Sequence, residues 1–254
     1  FVAGIALALF AGVISVFIVL RRVSFLGSGI SHAAFGGVAI GFFSGMNPLL
    51  TALVYCIGVA FAIEFVSAKG RLAEDTAIGI FFSASMAMGV MLIGLSKSYT
   101  VDLFGYLFGS ILAISTGEAY AAVATAVVII LILIAIIKDL LLITFNEELA
   151  VVNGVPVRLI KAVFLVSMAI AIVIGIKIVG VILISALLVI PGAIAKLLTK
   201  RFYHMLIISS IASVLSIITG LIISYVYDLA PGGTIVMVLS VLFGAAFFRN
   251  ILSD

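Results

Sequence analysis

Residues 144–158 read TFNEELAVVNGVPVR, the longest polar-containing interruption in the second half of an otherwise hydrocarbon-like chain. Both ends of a short helix are marked in it. Asn146 can cap the start, Glu147 and Glu148 sit in the first turn where the helix dipole favours negative charge, and Asn153-Gly154 followed by Pro156 supplies a left-handed stop. A chain that needed only to cross a bilayer would use a tight turn here. The stretch is expected to be either a helix on which a soluble partner docks or a plain interfacial helix between two spans, because capping signals fix helix ends and not contacts.

Outward from this stretch the chain is apolar in both directions. Its 254 residues are 66% hydrophobic and 9% charged, with a mean hydropathy of +1.53, whereas a soluble domain carries roughly 25% charged residues. Runs near the roughly 20 residues that cross a bilayer recur along the whole length, so the expected architecture is all-α: one polytopic transmembrane domain over 1–254. The spans read as 1–20, 23–43, 48–67, 76–95, 118–137, 157–176, 180–198, 202–227 and 232–248, nine in all. The chain starts at Phe1, without methionine and already apolar, so a short preceding segment is expected and nothing resembles a cleavable signal.

Basic residues set the orientation. With the first connection cytoplasmic, Arg21, Arg22, Lys69, Arg71, Lys138, Arg158, Lys161, Lys196, Lys200, Arg201 and Arg249 fall inside, leaving only Lys97 and Lys177 outside. Phe1 is then external, Asp254 cytoplasmic, and the 144–158 helix cytoplasmic. A net charge of +3 and a pI near 9.1 would point to nucleic acid in a soluble protein; at span ends the same charge faces membrane lipid, and no nucleic-acid partner is expected.

Two segments depart from a plain up-and-down bundle. Residues 102–115, DLFGYLFGSILAIS, are apolar but about half a span long, so they are expected to form a short helix lining an outer vestibule. The second span carries Gly27, Gly29, Gly36, Gly37 and Gly41, which suits close helix packing or local unwinding and places it centrally.

His32 is the most informative single residue, since an ionisable side chain near mid-span marks a functional site by default and imidazole suits zinc, copper, nickel or iron. Ser28 shares its helix face and Ser31 is adjacent. A histidine merely hydrogen-bonded between helices is the competing reading. Asp102, Glu118 and Asp228 fall at external ends, as a cation funnel or as a solvated rim. Glu64, near the cytoplasmic end of its span, is expected to reach water or to meet Lys69 or Arg71. Pro191 is expected to kink its span. Cys56, the only cysteine, lies in an apolar run and reads as core filling. No glycine-rich phosphate loop ending in Lys-Ser or Lys-Thr, no HExxH and no GxSxG occurs, so the chain has no motif for using ATP or for catalysis and is not expected to be an enzyme.

Five stretches together resemble the permeases of bacterial and archaeal metal-ion importers of the ATP-binding-cassette type. They are VLRRVSFLGSGISHAAFGGVAIG (19–41), LFGSILAIS (107–115), ITFNEELAVVNGVPVR (143–158), VGVILISALLVIPGAIAKLL (179–198) and PGGTIVMV (231–238). The order is similar, more distantly, to the larger cobalamin and siderophore permeases, which makes transport of a metal chelate the alternative; a stand-alone secondary carrier is another. The resemblance implies a homodimer in the cytoplasmic membrane, working by alternating access. A cytoplasmic ATPase would dock on the helix through Asn146, Glu147, Glu148, Val151, Asn153 and Gly154, and an external solute-binding protein would deliver the cargo. No resident cofactor is implied. The transported ion is zinc first and manganese next, with His32 on the path, Ser28 and Ser31 as oxygen contacts, and Asp102 or Glu118 at the outer funnel. Family members commonly carry an acidic residue four before the histidine, where this chain has Ser28, and many have proline where it has Gly36.

Overall fold

The computed structural model describes residues 2–95 and 115–253. The short helix expected over 102–115 lies outside them except for Ser115, and so do Lys97 and Asp102. The described chain is helical, in the order α1 (Val2–Leu20), α2 (Ser24–Ser44), α3 (Pro48–Gly70), α4 (Glu74–Leu95), α5 (Thr116–Ala135), α6 (Ile137–Phe145), α7 (Glu147–Val152), α8 (Val157–Leu187), α9 (Ile190–Leu198), α10 (Phe202–Tyr227) and α11 (Pro231–Ser253).

Local chemistry sets the helix ends. Gly45, at φ 69°, closes α2, and Asn47 then opens α3 by accepting the Leu49 and Leu50 amides at 3.0 and 3.3 Å on its side-chain oxygen, with Pro48 in the first turn. Asp228 ends α10 in the left-handed region at φ 52°.

Seven apolar stretches are long enough to span, and α5 with α6, bent by 62° at their junction, makes an eighth. One of the seven, Val157–Leu198, is 42 residues long. As a straight helix it would reach about 63 Å, twice the hydrocarbon thickness. It does not run straight. Gly180 adopts φ 82° and ψ 167°, and a methyl group at Gly175 would lie 2.6 Å from the Ile184 side chain, a contact that two residues nine positions apart can make only if the helix folds back. The stretch therefore turns back near Gly180, so the seven or eight spans among the described residues become nine, the number expected, only if its two sides are counted separately. Only glycine tolerates the Gly180 backbone angles. Gly180→Ala is expected to lower stability by about 1–3 kcal/mol, read as a lower melting temperature in detergent.

The core lies along α1, α2 and the α8–α9 stretch, in each of which 67% of the most apolar 18 residues are buried, against 17% for α4 and α11. α2 packs chiefly on α3 and α4, α1 on α10, α5 and α9, and α8 touches both groups. The α2 glycines explain the first contact. A Cβ at Gly37 would sit 2.6 Å from Ala52 Cα on α3, and one at Gly36 2.8 Å from the Ser85 carbonyl on α4. α2 is continuous from Ser24 to Ser44, so of the two expected uses of these glycines, packing is realised and unwinding is not. Pro191 likewise starts a helix where a kink within one was expected. α8 ends at Leu187, a turn follows, and Pro191 occupies the first turn of α9, where its missing N–H has no helical partner to lose.

Candidate functional site

α7 has the predicted caps at both ends. The Asn146 side-chain oxygen accepts the Leu149 amide at 2.9 Å, and Glu147 and Glu148 occupy the first turn. At the other end Gly154, at φ 78°, donates its N–H to Val151 O, while Val155 N–H reaches back to Ala150 O; both are 3.0 Å. This pairing satisfies the last carbonyls, as in a Schellman ending. Ala150 is buried, whereas Glu148, Leu149, Val151 and Val152 are exposed, Val152 at 83%. The helix thus shows an acidic and apolar ledge to solvent while one small side chain anchors it.

An ion-pair bridge ties α7 to the bundle. Lys161 Nζ, on the first turns of α8, lies 2.7 Å from Glu147 Oε2 and 3.8 Å from Glu64 Oε1 on α3. The Lys161 side chain is 16% exposed, but Glu64 and Glu147 are 34% and 52% exposed, so water reaches the carboxylate side of the bridge. Glu64 was expected to reach water or to meet Lys69 or Arg71. It remains partly exposed, and its cationic partner is Lys161; Lys69 instead stands over the Phe65 ring at 5.2 Å. The expected partners were sequence neighbours, and the real one is 97 positions away, brought in by the packing of α3 on α8.

His32 projects from the half-buried face of α2. Its Nδ1 is 2.9 Å from the Ser28 carbonyl oxygen, and its ring meets Phe82 of α4 edge-on, centroids 4.8 Å apart. A carbonyl oxygen only accepts, so Nδ1 carries the proton and donates it. In the neutral ring the lone pair is then on Nε2. Metal-bound histidines are held in the same way, the far nitrogen donating to a carbonyl or carboxylate.

Ser28 lies on the same half-buried face. Ser31 does not share that face: it is fully buried and donates to Gly27 O at 2.7 Å. Glu118 belongs to the first turn of α5, and Asp102 is outside the described residues. Among the described residues no three His, Cys, Asp or Glu side chains converge as a metal cluster. Two features escaped sequence reasoning, the Lys161 bridge and the His32 hydrogen bond. The second had a signal, since in any helix the carbonyl four residues back lies under the side chain.

Residues 1–250 match the family described as the ABC 3 transport family. The chain belongs to that family. A stretch of 181 residues, 71% of this chain and 64% of the relative, is 36% identical to the manganese transport system membrane protein MntC of Listeria innocua. Another, of 177 residues, covers 70% of the chain and 68% of the high-affinity zinc uptake system membrane protein ZnuB of Haemophilus influenzae, at 33% identity. Among solved structures, PsaBC from Streptococcus pneumoniae in complex with Fab superposes with a TM-score of 0.85 at 34% identity, over 97% of this chain and 88% of that one. The chain is thus a multi-pass membrane member of the family, and the matched stretch spans 64% of the length of MntC.

Proposed function

We propose that this chain is the membrane-spanning permease subunit of an ATP-binding-cassette importer, and that two copies pass a divalent transition metal into the cytoplasm by alternating access. The reading of its cargo is carried by His32, whose Nδ1 proton is committed to the Ser28 carbonyl and whose Nε2 is therefore available as a ligand. ATP is hydrolysed by a separate cytoplasmic ATPase docked on α7, and an external binding protein supplies the ion. In support, α7 offers an exposed, doubly capped ledge, and relatives of the chain are named as manganese and zinc transport proteins.

Zinc is the first choice of ion and manganese the second. Imidazole suits zinc, manganese prefers carboxylate and water oxygens, and Ser28 offers a neutral hydroxyl. Weak holding is itself suited to transport, because an ion that binds must also leave. Asp102 and Glu118 are assigned to the external mouth, where carboxylates raise the local cation concentration.

The test is competitive uptake of zinc and manganese into proteoliposomes holding the chain with its ATPase and binding protein. The wild-type chain is expected to favour zinc. Ser28→Asp should shift the ratio towards manganese by about tenfold or more, the scale of changes next to a metal ligand. An unchanged ratio in Ser28→Asp would remove Ser28 from the path.

A further inference from the structure

Four cations gather at one end of the bundle with no ion-pair partner among the described residues. Lys196 ends α9, Lys200 and Arg201 fill the turn into α10, Arg249 approaches from the last turns of α11, and together they line a cavity of 870 Å³. None of the lining residues is acidic, and among the described residues none of the four cations is in an ion pair. Like charges held this close repel one another, so the cluster favours an anion that would sit among them.

A second cavity adjoins the first. It measures 320 Å³, shares Leu198 and Arg249 with the basic one, and is otherwise lined by apolar side chains of α9, α10 and α11, among them Ile208, Ile211, Leu242 and Ala246. Along α11, Arg249 and Leu242 are seven residues apart, about 10 Å of helix. The groove therefore leads from a basic rim into the depth of the hydrocarbon.

A cavity with four cations at its mouth and an apolar channel behind it fits a molecule with an anionic head and a long apolar tail. We propose that the two cavities form one binding site for an anionic phospholipid, its phosphate among Lys196, Lys200, Arg201 and Arg249 and one acyl chain in the groove. The distribution of basic residues puts this end in the cytoplasm, where the leaflet carries anionic lipid and basic pockets between spans bind its headgroups. An acidic protein surface would neutralise the cations but leave the groove empty, and a free phosphate would do the same. The lipid alone accounts for both cavities.

Native mass spectrometry of the purified full-length chain in a nonionic detergent tests this, with dioleoylphosphatidylglycerol and dioleoylphosphatidylcholine as probes. The phosphatidylglycerol is expected to bind at least tenfold more tightly. The double variant K200Q/R249Q should weaken it by roughly 25-fold, about fivefold per cation, while K200R retains it. Ala246→Trp, which fills the groove, should weaken it with the charges intact. Equal binding of the two lipids, unchanged binding in K200Q/R249Q or in Ala246→Trp, or full displacement by millimolar inorganic phosphate overturns the proposal. So does loss of ATPase capture by K200Q/R249Q in lipid-free micelles, which would assign the cations to a protein partner. None of these readouts depends on transport, so the site and the permease reading can fail separately.

Discussion

His32→Ala is expected to reduce metal uptake by about 100-fold or more while the protein remains folded and keeps its ATPase. The size follows from chemistry, because losing even a residue that orients a metal ligand costs about 10–100-fold, and here the ligand itself is lost. The folding expectation follows from position. His32 is half-buried, with its polar contact made within its own helix and its ring edge-on to Phe82, so its removal opens no large cavity in the core. A melting temperature near wild type with uptake gone is the expected pair of results. Normal uptake by His32→Ala sinks the site assignment.

The second large effect concerns α7. Proline holds φ near −65°, and Gly154 sits at φ 78° with its N–H bonded to Val151 O. Gly154→Pro therefore removes both the turn and the hydrogen bond that end the helix. Nothing lies within 4 Å of a Cβ built there, and the residue is exposed, so the damage stays local. Glu148→Arg leaves the caps alone and reverses one charge on the exposed ledge. Both variants are expected to insert and melt like wild type yet lose the ATPase in a pull-down, Glu148→Arg by about 30-fold if the residue contributes about 2 kcal/mol as interface hot spots do. Wild-type assembly and uptake in both would return α7 to a plain interfacial helix.

These expectations show which features of the sequence were legible. Span positions followed from apolar run length, so the third span, expected over 48–67, is found as Pro48–Gly70, and the turn-back near Gly180 had a glycine to mark it. The 62° bend between α5 and α6 had no such mark. Hydropathy runs smoothly through Ile136 and breaks only at Lys138-Asp139, where the fifth span was expected to end, and beyond the bend Leu140 and Ile143 are buried. The caps of α7 were legible because they are local chemistry within nine residues. The Lys161 bridge was not, since it joins three helices at long sequence separation. Within the candidate path, Ser28 and His32 share a face because four residues make about one helical turn, whereas Ser31 is rotated about 100° from His32 and turns inward. Adjacency in sequence is therefore not adjacency on the helix face.

The central claim is that transport through this chain is driven by a separate ATPase. The most direct measurement is zinc and manganese uptake into proteoliposomes that hold the chain with and without its ATPase, with ATP and with a non-hydrolysable analogue. Uptake is expected only with both the ATPase and hydrolysable ATP. Uptake by the purified chain alone, driven by an ion gradient without ATP, would contradict the account and make the protein a secondary carrier.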